Sequence, residues 1–447
     1  MHGSHGHRPR TPEAERSRLW FMNKALLAGG VAAMATMTGC SSDSSGSSGS
    51  ANAAGSYGGP PSGMPSGGPG GGAGGMGPGA SEVKYADFVG VTTDGKVADG
   101  LYSIHAVHST DVSTDKVVKA AQAFLDGLTS KERKASVFEV DDDEWLKWSN
   151  VDGYERQGAR MGDLTEKQRN LGYALLGAAL SADGLTQTRN IMKLNAFLGD
   201  YSGGGRDTLT EGAYFFTFMG TPSTTDPWGF QYEGHHVAIN YFVLGDQVVM
   251  TPTFMGSEPT SATYDGEKIA LFGKETQAGL TLLRSLTDAQ RGQVISSETK
   301  AGDNLRAGAG QDNLKLAHQG LIASGFTDTQ KDNLLDLVRV YVGNMADGHA
   351  EVRMREVEDH LAETYFYWIG ETEDSSAFYY RVHSPVVLIE YDAQSPLAYG
   401  NKDSNGGGGM GGPGGTPTQQ HIHTIVRTPN GADYGADLLK LHLENDH

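Results

Sequence analysis

His421-Ile422-His423 carries the clearest chemical signal in this sequence. On a strand, alternate residues share a face, so the two imidazoles point the same way with Ile422 behind them. Two imidazoles on one face can be presented to one metal ion. Three further groups place polar residues inside apolar runs. Arg381 and His383 are two apart in Tyr380-Arg381-Val382-His383, which leads through Val386–Ile389 to Glu390. His235-His236 stands at the head of Val237–Tyr241, and read as part of a strand the pair sends its rings to opposite faces. Arg427-Thr428-Pro429-Asn430-Gly431-Ala432-Asp433 is a turn-rich stretch that can bring Asp433 back to Arg427.

Burying such groups is costly unless each is paired or binds an ion. The reading that follows is a metal centre with His383, His421 and His423 as ligands. His235 or His236 serves as a further ligand or proton carrier, Arg381 and Arg427 bind an anionic group of substrate or stabilise developing negative charge, and Glu390 is a further catalytic candidate. Zinc would acidify a bound water for hydrolysis, whereas copper or iron would suit oxidation, and the residue types leave the two open. A buried network pairing Arg381, Glu390, Arg427 and Asp433 is the competing account. His349 and His360 fall in a charged helical stretch and read as a solvated face, while His105 and His108 fall in a loop-like segment. The chain has no G-x-S-x-G, P-loop, dinucleotide fingerprint or H-E-x-x-H, so no nucleotide cofactor is expected.

The elements that must position these groups alternate in blocks. Apolar residues at helical spacing predict helices over residues 113–128, 165–180, 183–197, 274–285, 287–293, 311–318, 327–344 and 436–443. Continuous aromatic or β-branched runs predict strands over 213–219, 236–244, 247–251, 364–369, 377–381, 386–390 and 421–427. The strands at 364–369 and 377–381 should pair antiparallel. Helices and strands in separate blocks predict an α+β fold with helical segments flanking a mixed, largely antiparallel sheet.

Before these elements the composition changes. Met22-Asn23-Lys24, an apolar stretch from Ala25 to Thr38, and Gly39-Cys40 read as a lipoprotein signal over residues 1–40. Met22 is an alternative start. Cys40 is the single cysteine, placed where lipidation would anchor the chain to a bacterial membrane on its periplasmic or cell-surface side. Residues 41–82, rich in Gly, Ser and Pro, read as a disordered tether, residues 83–447 as one large domain, and residues 404–416 as a Gly-rich surface loop. Removing residues 1–39 takes away five basic and two acidic residues and moves the net charge from −19 to −22. That charge argues against nucleic acid as a partner.

As a set, these motifs resemble the bacterial and fungal family called domain of unknown function 3500. The resemblance is carried by Lys147-Trp148-Ser149-Asn150 with Arg156, by Tyr214–Gly220 with Pro222-Ser223, by Pro227-Trp228-Gly229 and by Gly234-His235-His236. It continues through Thr251–Gly256 with Glu258-Pro259, Arg381–Pro385 with Glu390, His421-x-His423, and Arg427–Gly431 with Asp433-Tyr434-Gly435. The family implies no established reaction. The residues themselves favour a lipid-anchored, extracytoplasmic metal-dependent enzyme. Two alternatives stand beside it: a tethered protein holding a sugar or other small molecule on aromatics such as Trp228, Tyr367, Trp368 and Tyr380, and a metal-handling lipoprotein.

Overall fold

The computed structural model describes residues 83–98, 101, 109–399 and 415–445. The expected signal with Cys40, the expected tether to residue 82, His105, His108 and most of the Gly-rich stretch lie outside them.

Nine α-helices occur among the described residues: α1 Asp115–Gly127, α2 Ser130–Ser136, α3 Glu166–Ala179, α4 Ala182–Tyr201, α5 Gly273–Ser285, α6 Asp288–Val294, α7 Asp328–Val342, α8 Asp347–Asp359 and α9 Ala436–Asn445. Their starts follow local rules. At α2, α3, α6 and α7, a threonine cap and a Glu or Gln three residues later satisfy each other's backbone N–H groups. The strands, in chain order, are β1 Val137–Phe138, β2 Ala159–Arg160, β3 Tyr214–Gly220, β4 Trp228–Gly234, β5 Val237–Leu244, β6 Gln247–Val249, β7 Thr253–Ser257, β8 Ser261–Tyr264 and β9 Glu267–Ala270. They continue as β10 Ile295–Ser297, β11 Leu321–Ile322, β12 Tyr365–Gly370, β13 Phe378–His383, β14 Leu388–Ala393 and β15 Ile422–Arg427.

Thirteen strands form one sheet with the path β1-β3-β4-β5-β7-β15-β14-β13-β12-β10, while β8 and β9 pair separately. Only the β1–β3 and β10–β12 pairs are parallel. The fold is therefore α+β, with a mixed, largely antiparallel sheet flanked by helices. As expected, β12 and β13 are antiparallel neighbours.

The two faces of the sheet differ in chemistry. One carries Phe216, Phe218, Phe230, Tyr232, Tyr241, Trp368, Tyr380 and Tyr391, packed with Phe124, Leu175, Leu283 and Leu337 from the helices. Trp228, Trp368 and Tyr380 are fully buried in this core, whereas Tyr367 points to the other face and is half-buried. Register places Arg381, Glu390, Asp392 and His423 on the opposite face. That face has its own apolar patch, where Ala238, Phe254 and Ile425 meet Trp145, Trp148 and Tyr434.

Residues 300–320 cross the polar face as a strap, and this corrects the helix expected over 311–318. The sheet holds the strap extended by taking its backbone groups. Asp392 accepts from the N–H of Asn304 and Leu305 at 2.8 and 3.0 Å, and Glu390 from that of Ala307 at 2.7 Å. Arg427 donates to the carbonyls of Ala307 and Gly308 at 2.7 and 2.8 Å. Within 311–318 the backbone is taken by Thr92, whose N–H donates to Leu314 O at 3.0 Å and whose carbonyl accepts from Leu316 N–H at 2.8 Å, so no helix closes there.

Candidate functional site

Three strand ends bring together His236, His421 and His423, whose candidate ligand atoms all lie within 4.8 Å of one another. His423 belongs to β15, and His421 precedes that strand by one residue on the same side. His236 comes from the two-residue turn joining β4 to β5, where Gly234 pairs with Val237. The expectation of a strand with rings on opposite faces is thus corrected. Turn geometry frees His235 from strand alternation, and its ring stacks on His236 with centroids 3.8 Å apart.

His236 has φ of 67°, a left-handed conformation uncommon for a residue with a side chain. Two backbone bonds hold it there. Its N–H donates to Asn150 O at 3.2 Å, and its carbonyl accepts from Gly256 N at 2.8 Å. Gly256 also makes room for the rings. A Cβ at that position would lie 2.7 Å from Cδ2 of His423 and 3.2 Å from Cδ2 of His236.

The hydrogen bonds define which nitrogens face inward. His421 Nδ1 lies 2.8 Å from the carbonyl oxygen of Ser395, an acceptor only, so Nδ1 carries the hydrogen. The Nε2 atoms of His421 and His423 then face each other at 3.0 Å. All three residues are buried, with exposures of 2–4%. Burial first, then the neighbouring histidines, pulls the imidazoles of His236 and His423 well below their ordinary range, which keeps their lone pairs free.

Around the rings lie carboxylates that sequence reading missed. Glu258 Oε2 is 3.8 Å from His421 Nδ1. Its Oε1 accepts from the N–H groups of Leu397, Ala398 and Tyr399 at 2.7–2.8 Å, fixing the segment that presents the Ser395 carbonyl. A carboxylate and a carbonyl behind an imidazole are the usual supports of a metal-ligating histidine. Asp303, on the strap, lies within electrostatic reach of His421, and its Oδ1 is buried without a hydrogen-bond partner. Burial and then nearby Asp392 raise its carboxyl above the ordinary range. Glu258 carried a sequence signal, since it stands in one of the quoted motifs; Asp303 carried none.

His235 stands beside the cluster. Asn195 gives both amide hydrogens to the carbonyls of Thr208 and Thr210, so its Oδ1 accepts from His235 Nδ1 at 2.8 Å. Burial, only partly opposed by Asp152, lowers the His235 imidazole to about 3. That makes it a weak base.

The other candidates lie elsewhere. His383 pairs with Leu388 of β14, whose partner on β15 is Arg427, four residues along from His423. That offset and two intervening strand spacings put His383 on the order of 15 Å from the cluster. His383 therefore does not join His421 and His423; strand spacing gave it the right face but not the right row. Arg427 is fully buried and ion-paired with Asp312 at 3.1 Å and Asp433 at 3.2 Å, as the network account expects. Burial pulls its guanidinium down, but Asp312 and the neighbouring Tyr434 and Asp433 outweigh this and raise it. Glu390 takes a hydrogen bond from Tyr379 at 2.5 Å besides those from the strap. Both residues are committed to holding the fold. Arg381 lies opposite Glu390 in register but donates instead to Gln319 at 2.7 Å. His349, expected on a solvated face, is buried at 7% exposure.

No curated protein and no solved structure matches the chain. One family does: its sequence pattern matches residues 110–436, a span that includes every histidine, arginine and carboxylate of the site described above. The chain belongs to the family described as protein of unknown function DUF3500.

Proposed function

We propose that this chain is an extracytoplasmic, lipid-anchored metal-dependent enzyme whose divalent ion is held by His236, His421 and His423. The observation that carries the reading is the convergence of three buried imidazoles within 4.8 Å. Three nitrogen ligands with a position left for water or substrate is the common pattern of catalytic zinc, whereas structural zinc takes four protein ligands. Bound zinc would supply a water acidified enough to attack a substrate, and copper or iron would supply oxidative chemistry on the same nitrogens. Hydrolysis is slightly favoured because it needs no second cofactor.

The chain's own residues then have defined tasks. Ser395 and Glu258 orient His421, and Gly256 lets His236 and His423 approach. His235 packs on His236 and positions it. Asp303 is the better proton acceptor, because a raised carboxyl lies nearer neutral pH than an imidazole lowered to about 3. The substrate, small molecule or polymer, meets a strongly acidic chain that disfavours nucleic acid. Lipid on Cys40 would keep it at the membrane.

Near-complete burial of the three rings favours a second reading, a lipoprotein that stores or delivers metal. Elemental mass spectrometry on the full chain separates the outcomes, with a His421→Ala/His423→Ala variant beside it. Near-stoichiometric zinc, copper or iron that vanishes in a folded variant supports the centre and names its chemistry. X-ray absorption that counts three imidazoles and an oxygen supports the enzyme, while a fourth protein ligand supports storage. A chain that takes up none of these metals on titration sinks both readings.

A further inference from the structure

A second polar cluster lies at the other end of the same sheet face, where β13 offers Arg381 and His383 and the strap offers His318 and Gln319. His318 stacks on Tyr365 with ring centroids 4.4 Å apart and meets His383 edge-on at 4.5 Å. The Arg381 guanidinium lies 5.2 Å from the centre of the Tyr367 ring and donates through Nη2 to Gln319. Arg381 and His383 are each 2% exposed.

Three nitrogens here are buried without a hydrogen-bond partner: Nε of Arg381, Nδ1 of His383 and Nε2 of His318. Buried donors are nearly always satisfied, and a buried guanidinium needs acceptors. Arg427 on the same face shows the contrast, with two carboxylates and two carbonyls around it. Glu390, across the strand from Arg381, makes no hydrogen bond to it and spends its oxygens on Tyr379 and on the N–H groups of Arg306 and Ala307, although the Arg381 charge reaches its carboxyl.

We propose that Arg381, His383 and His318 form a binding site for a small oxyanion, a carboxylate or phosphate group. One oxygen would accept from Arg381 Nε, and the others from the two ring nitrogens, each of which can carry its ring's single hydrogen. The planar fork of arginine suits both groups. Tyr365, Tyr367 and His318 are only partly buried and Gln319 is exposed, which gives the anion a way in. The site stands apart from the histidine centre and does not rest on the metal reading.

The test is calorimetric titration of the full chain with inorganic phosphate and, separately, with succinate. Arg Nε–H resonances are followed by NMR in parallel. Saturable binding tighter than about 1 mM is expected for at least one probe, and whichever binds identifies the source of the oxyanion. His318→Ala should weaken it at least tenfold. Gln319→Glu, at an exposed position, places a competing carboxylate beside Arg381 and should abolish it. Binding should persist in the His421→Ala/His423→Ala variant. The proposal is overturned if neither probe binds saturably, if binding survives Gln319→Glu, or if it is lost with the metal ligands.

Discussion

His421 and His423 face each other through Nε2 atoms 3.0 Å apart. The outward nitrogen of His421 is fixed by a carbonyl, whereas Nδ1 of His423 is buried without a partner. Two neutral rings can share at most one hydrogen across that gap, and an ion between them would use both lone pairs. On tetrahedral zinc with bonds of 2.0–2.1 Å, two nitrogens sit roughly 3.3 Å apart, so the spacing needs little adjustment.

The ligand set is tested by single substitutions. His236→Ala, His421→Ala and His423→Ala should each lower bound metal by at least tenfold, while His383→Ala leaves it unchanged. Elemental analysis after gel filtration reads the result. Loss of metal in the His383 variant would break the geometric assignment.

Gly256→Ala adds one methyl group at the tightest point of the centre. That carbon would lie 2.7 Å from the His423 ring and 2.8 Å from the Ile422 carbonyl, so a ring or a strand must shift. Overpacking of this kind costs about 1–3 kcal/mol. Displaced ligands should also weaken metal affinity by about 10–100-fold, measured by competition with a chromophoric chelator.

Glu258→Gln keeps the shape of the side chain but removes its charge. Its oxygen would accept the three N–H groups of residues 397–399 more weakly, loosening the carbonyl that orients His421. Metal affinity should fall by about 10–100-fold with little change in the unfolding midpoint of the metal-free protein.

Arg427→Gln leaves Asp312 and Asp433 buried without their cation. Breaking a fully buried pair costs about 3–5 kcal/mol, so urea unfolding should shift strongly. Metal content per folded molecule should hold. A variant as stable as the parent would show that the network contributes little.

Stability should also depend on pH through His383. Burial first, then His318 and Arg381, lowers its imidazole well below the ordinary value of 6.5. The group is depressed in the folded state, so its contribution is present above about 6.5 and is lost as pH falls below it, by up to about 1.4 kcal/mol per unit. Tyr365, Tyr367 and Glu363 also face this cluster. Urea midpoints measured from pH 7 to 5 should fall less steeply in His383→Gln than in the parent; equal slopes would count against a depressed His383.

Periodicity alone determined most helices, the pairing of β12 with β13 and the presentation of His421 and His423 on one face. These depend on residues near one another in sequence, where the period of a helix or strand decides which side chains share a side. The turn that brings Asp433 to Arg427 was legible for the same reason. What only the tertiary structure decided is which rows of the sheet align. His236 meets His423 because β5, β7 and β15 are neighbours, an order that no local pattern encodes. His383 shares the face of His423 but sits four residues out of row. The strap at residues 300–320 reads as partly helical in sequence and forms no helix in the fold, because Thr92 claims its backbone at 314–316, and buried carboxylates and Arg427 claim it at 304–308. Those partners lie far from it in the chain, the carboxylates and Arg427 about 80 to 120 residues further along, beyond the reach of any window of sequence.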